Sequence, residues 1–127
     1  MLRPKAFEHI GIIVADLDRS VRFYAEGLGL ELLRRRGAGG EGFAALKAGD
    51  TEINVFCNPN STALGSDEPQ RIDHLCLSME SASIADLIVA LREVEIPIAS
   101  GPVERSDGTA LFVHDPDGIR VELLVKR

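Results

Sequence analysis

The strongest constraint on the fold is that the chain is written twice. FEHIGIIVADLD (7–18) and IDHLCLSMESAS (72–83) share one order of residue types: acid, His, apolar, small, apolar. His9 and His74 coincide when one stretch is laid over the other. Such self-similarity marks duplicated structural units. Each copy leads into an amphipathic stretch at helical spacing. The first carries Val21, Tyr24 and Leu28 up to Gly29, with Asp18 as the expected N-cap; the second carries Ile84, Leu87, Ile88, Leu91 and Val94, capped by Ser81 or Ser83. Short β-type runs follow: LELLRR, GFAALKAG and TEINVF in the first half, IPIA, TALFVHD and IRVELLV in the second. The turn signals GAGGEG, AGD and DPDG separate them.

The expected class is therefore α+β, with two βαβββ modules at about 5–57 and 71–126. The Pro-, Ser- and Asn-rich segment at about 58–70 reads as the linker, and the whole of 1–127 as one domain. Neither half can bury its sheet alone. The two are expected to pair into an open, cupped mixed β-sheet with helices on the outer face, leaving a concavity for a ligand.

The last strands of the halves fix which residues face that cup. Aligned on their preceding turns, GDTEINVF lies over DGIRVELL, so Asn54 falls opposite Glu122 and Glu52 opposite Arg120. Strand alternation sends Ile53, Val55, Val121 and Leu123 to the helix side, and His9, His74, Asn54 and Glu122 to the cup. Two imidazoles and a carboxylate suit one divalent ion, Fe, Mn, Ni or Zn, among which the residue types do not choose. Taken singly, each residue has a plainer reading as a core histidine, an edge histidine or a solvent-facing strand Glu. That reading leaves unexplained why the histidines, and the Asn54 and Glu122 pair, fall at repeat-equivalent places.

Composition narrows the partners. Fourteen Lys and Arg against twenty Asp and Glu leave a net charge of −6, which argues against nucleic acid. Arg34, Arg35 and Arg36 form the basic cluster and are expected to be a solvated strand end, the alternative being a contact to an anionic substrate tail. No apolar run reaches membrane-spanning length, and MLRPKAFEH lacks the apolar core of a signal peptide. Cys57 and Cys76 are expected as free thiols in a reducing cytoplasm.

HIGIIVADLDRSVRFYAEGLGLELL, IDHLCLSM and FVHDPDGIRVELL resemble the vicinal oxygen chelate superfamily, which includes glyoxalase I (lactoylglutathione lyase), extradiol dioxygenases, fosfomycin-modifying enzymes and bleomycin-binding proteins. The resemblance spans nearly the whole chain and is more specific for the superfamily than for any one activity. It implies His9, His74 and Glu122 as metal ligands, with Asn54 standing where the lyases usually carry Glu or Gln. Asn is neutral, one methylene shorter than Gln, and no general base. The resemblance further implies one divalent ion per site, bidentate capture of adjacent oxygens of a small substrate, and Glu122 as the proton-transfer base. It also implies a homodimer, with the site built within one chain or by exchange of modules.

Five further residues are assigned to the pocket: Glu52, Phe56, Cys76, Phe112 and Arg120. Glu52 sits two residues from Asn54, roughly 7 Å along the strand, so it lines the pocket rather than ligating. Phe56 and Phe112 read as wall and core. Cys76 reads as a small residue in a crowded wall, Arg120 as either the holder of an anionic substrate group or a solvated strand start, and His114 as turn-adjacent surface. The leading function is a metal-dependent lyase or isomerase of the glyoxalase group. The alternatives are a dioxygenase or fosfomycin-type transferase using His, His and Glu, and a metal-free protein that sequesters a drug or metabolite.

Overall fold

The computed structural model describes residues 1, 3, 7–57 and 74–127. The expected linker lies outside the described residues. The chain divides into two units, Met1–Asp67 and Glu68–Arg127. The first unit holds β1 (His9–Ile13), α1 (Leu17–Val21), β2 (Glu31–Arg36), β3 (Gly42–Ala48) and β4 (Thr51–Cys57), arranged β1-β4-β3-β2. The second holds β5 (Leu75–Ser78), α2 (Ile84–Glu93), β6 (Ser100–Arg105), β7 (Gly108–His114) and β8 (Arg120–Lys126), arranged β5-β8-β7-β6. The two orders are the same. In each unit the first strand pairs parallel with the last, and the remaining neighbours are antiparallel. This is the duplicated βαβββ connectivity that the repeat predicts. No helix among the described residues is long and apolar enough to cross a membrane.

Each sheet has one apolar face, as period-two alternation requires. Ala44, Leu46, Ile53 and Val55 are buried in the first unit; Leu111, Val113, Val121 and Leu123 are buried in the second. A fully buried Leu or Val contributes about 2 kcal/mol relative to exposure, so these rows carry much of each module's cohesion. In the first unit α1 packs on β3 and β4, and Tyr24 and Leu17 are fully enclosed.

Local chemistry departs from the expected boundaries in two places. The cap of α1 is Asp16, whose Oδ1 accepts the Arg19 N–H at 3.1 Å; Asp18 lies inside the first turn and pairs with Arg35 instead. Past Val21 the helix widens into a π-type turn, Arg22–Gly27, with the Leu28 N–H reaching Phe23 O at 2.9 Å. In the second unit IPIA is not a strand. The Ile96 N–H closes the end of α2 on Leu91 O, and Pro97 has no N–H, so the first link to β7 is Ala99 N–H to Phe112 O at 2.7 Å. The strand proper is SGPVER, an exposed edge where proline is tolerated. Ser83 caps α2, accepting the Asp86 N–H at 3.1 Å and donating to Asp86 Oδ2 at 3.0 Å.

Asp115 sets the register of the last hairpin. Its buried Oδ1 accepts the N–H groups of Asp117 (2.9 Å) and Ile119 (2.7 Å), folding DPDG into a fixed turn. The first rung after it pairs His114 with Arg120, and that rung determines where Glu122 falls.

Candidate functional site

The strand ladders bear out the matching of Asn54 with Glu122. Gly11 pairs with Asn54 in the first unit, and Cys76 pairs with Glu122 in the second. Gly11 lies two residues after His9, and Cys76 two after His74, so Asn54 and Glu122 hold the same position in their modules. Both are 6% exposed. Glu52 is the rung partner of His9, one step nearer the strand start.

In the second unit the structure brings the expected residues together. His74 Nε2 lies 3.1 Å from Glu122 Oε2. Arg105, from edge strand β6, reaches Glu122 Oε1 at 3.1 Å, so both carboxylate oxygens are engaged. Phe112 is the rung partner of Glu122 on β7 and is buried. The His74 ring meets Phe112 edge-on at 6.3 Å, and Arg120 lies over the Phe112 ring with Cζ 3.9 Å from its centroid. Arg105 stands 5.8 Å from the same centroid. Cys76 is exposed, yet partial desolvation pushes its thiol up from its ordinary range, and the Glu122 and Asp107 carboxylates push it further, with Arg105 opposing. Cys76 is thus held as a neutral thiol, which disfavours a nucleophilic role, and its exposure departs from the crowded wall expected of it. His114 is exposed on the rung beside Arg120.

In the first unit the expected residues share a face but are partnered differently. Glu52 is gripped by Arg34 through two contacts, Nη1 to Oε1 at 3.3 Å and Nη2 to Oε2 at 2.8 Å. Asn54 Oδ1 is buried and accepts no hydrogen bond from the described residues. His9 is exposed at the start of β1. Phe56 packs on Phe43 at 5.1 Å between centroids and lies beside Gly11, where an added Cβ would meet its ring at 3.4 Å. Phe56 itself is 44% exposed, so it is wall rather than core.

The donors suit a divalent ion in pairs. Two adjacent ligands with bonds of about 2.1 Å stand about 3 Å apart, which matches the spacing of His74 Nε2 and Glu122 Oε2. The unsatisfied Asn54 oxygen is a hard donor of the kind such an ion takes. Among the described residues no group of three or more His, Cys, Asp or Glu is gathered as ligands.

Two arginines were not legible as site residues. Arg105 lies on SGPVER, a run with no clear strand pattern, so nothing in the sequence aims it at Glu122. Arg34 was expected to be solvated with its neighbours. Arg34 and Arg36 are indeed exposed, but Arg34 also holds Glu52, and Arg35 binds Asp18 and donates to Gly39 O at 2.6 Å. A bulge between Leu32 and Arg34 sets which arginine faces which side, and bulges leave little trace in a single sequence.

Fold and site together define a duplicated βαβββ protein whose second module sets an imidazole and a carboxylate side by side on one sheet face. The chain belongs to the family described as the Glyoxalase/Bleomycin resistance protein/Dioxygenase superfamily, whose pattern matches residues 6–123. It is 29% identical to the lactoylglutathione lyase of Salmonella typhimurium, over 91% of this chain and 89% of that protein. It is 31% identical to the lactoylglutathione lyase GLX1 of Arabidopsis thaliana over 94% of this chain. The chain spans 34–44% of the length of the plant relatives it matches. The solved glyoxalase family protein of Enterococcus faecalis superimposes with a TM-score of 0.73 at 26% identity, covering 94% of this chain and 97% of that one.

Proposed function

We propose that the protein is a divalent-metal-dependent lyase or isomerase of the lactoylglutathione lyase-like group, acting on a small molecule with adjacent oxygens. The observation carrying this reading is the 3.1 Å approach of His74 Nε2 to Glu122 Oε2 at positions duplicated in the chain. His74 and Glu122 would hold the ion, with His9 and Asn54 of the first module as the further donors it requires. Zn, Ni, Mn and Fe all suit this donor set. When bound, such an ion supplies Lewis acidity that polarises a substrate carbonyl.

The chain's own residues supply the remaining chemistry. Glu122 would be the base that takes and returns the proton beside that carbonyl. Arg105 on Oε1 restrains the carboxylate from turning, so one oxygen stays presented. Phe112, buried on the rung beside Glu122, limits the space left for solvent on that side. The reading includes a homodimer, tested by sedimentation of the purified chain.

Metal analysis of protein purified without chelator is the direct test. Near one ion per chain, lost in His74→Ala, is the expected result, together with turnover of methylglyoxal and glutathione. A chain that takes up no divalent ion sinks the reading. One observation favours a second reading, sequestration of a drug or metabolite without metal: Arg105 already neutralises the Glu122 carboxylate from within the protein. Tight binding of a flat aromatic ligand by metal-free protein, with no turnover, is the outcome that selects it.

A further inference from the structure

We propose that the second module carries an oxyanion subsite, in which Arg120 seated on Phe112, with Arg105 beside it, receives a carboxylate or phosphate group of the small molecule. Four arginines of the described residues, Arg34, Arg35, Arg105 and Arg127, hold a carboxylate: Glu52, Asp18, Glu122 and Glu104. Arg120 holds none among the described residues, although Glu122 lies two residues along on the same face of β8. The reason is geometric. Both oxygens of Glu122 are engaged, one by His74 and the other by Arg105.

Arg120 Cζ stands over the Phe112 ring, 3.9 Å from its centroid. Its N–H donors lie in the guanidinium plane, and none meets a carboxylate among the described residues. A planar fork of this kind matches two oxygens of a carboxylate or phosphate, and charge-assisted pairs of that geometry are among the stronger hydrogen bonds. Arg105 adds a second positive charge over the same ring, beside the Glu122 carboxylate that it holds. The first module has no counterpart, because the position equivalent to Arg120 is Glu52, already neutralised by Arg34. The proposal deepens the lyase reading by naming a substrate class, yet the subsite needs no metal.

The test uses the full chain after chelator treatment and three matched probes: benzoate, phenyl phosphate and neutral benzamide. Dissociation constants come from calorimetric or NMR titration at low salt. The wild type is expected to bind at least one anion about tenfold more tightly than benzamide, and Arg120→Gln to bring them within about twofold. Arg120→Lys should retain a weakened preference, since the charge stays and the fork is lost. The tighter anion tells carboxylate from phosphate. If Arg120→Gln fails to fold, Phe112→Leu removes the seat and should lose the preference likewise. Equal binding of the three probes, no binding at all, or a preference that survives Arg120→Gln overturns the proposal. Divalent-ion titration of the same wild-type sample separates the two ideas. Anion preference without metal uptake sinks only the lyase reading, and metal uptake without preference sinks only the subsite.

Discussion

At one matched position the two modules carry Asn54 and Glu122, equally buried and differently served. Glu122 has His74 on one oxygen and Arg105 on the other, while Asn54 Oδ1 meets no donor among the described residues. The neighbours differ in the same sense. Around Asn54 the rung holds Gly11 and Ala45; around Glu122 it holds Cys76 and Phe112. Each module also sends an arginine from its outer strand across the middle strand to a glutamate on the last one, but in different registers. Arg34 reaches Glu52, two residues before the matched position, and Arg105 reaches Glu122 at it. The two modules share one scaffold, and they differ in the charged partners gathered at the matched position.

The sharpest way to break this comparison is Glu122→Ala. It should cost about 2 kcal/mol of stability, because His74 and Arg105 lose a charged hydrogen-bond partner. Asn54→Ala should cost much less, and equal losses in urea unfolding would make the two positions equivalent after all. Asn54→Leu should stabilise the metal-free protein by about 1 kcal/mol, since it removes a buried oxygen with no donor while nearly conserving volume. A destabilised variant would mean that this oxygen is satisfied in solution. The helix ends differ too. Gly29 closes the first helix at φ +82°, whereas Glu95 closes α2 at φ +58° with the Ile96 N–H bonded to Leu91 O. Glu95→Gly should therefore gain about 1 kcal/mol and Gly29→Ala lose about as much, both read from denaturant midpoints.

The smallest effect concerns Cys76, which has Gly11 as its counterpart. Its thiol pKa is raised by partial desolvation first and then by the carboxylates of Glu122 and Asp107. The folded chain therefore holds this proton more tightly than the unfolded one. The resulting stabilisation is present below the ordinary thiol range and is lost as pH rises through the raised folded value. Alkylation of Cys76 should set in at higher pH than for a free cysteine, and Glu122→Gln should move the onset back down. An onset no higher than that of glutathione would remove the electrostatic difference between the modules at this rung.

Much of this was legible in the sequence, and the part that was not has a common cause. The repeat of His9 and His74 predicted two βαβββ units, and the turn alignment of TEINVF on IRVELL predicted that Asn54, not Glu52, matches Glu122. Both follow from patterns with short periods and strong turn residues. The strand SGPVER, the Asp16 cap and the π-type turn after Val21 were not legible. Each depends on where a single N–H finds its acceptor, and composition does not report that. The partners Arg34 and Arg105 were hidden for a related reason: a long side chain on an edge strand reaches diagonally past its own rung.

The amino-acid order alone determined the duplication, the strand alternation and the residue types set at matched positions, because hydrophobic period and turn chemistry are local properties. Only the tertiary structure decided which charges meet. Arg105 quenches Glu122, Arg34 quenches Glu52, and Arg120 lies over an aromatic ring with no carboxylate partner among the described residues. Those outcomes depend on bulges, edge-strand register and side-chain reach across three strands, distances that no spacing along the chain encodes.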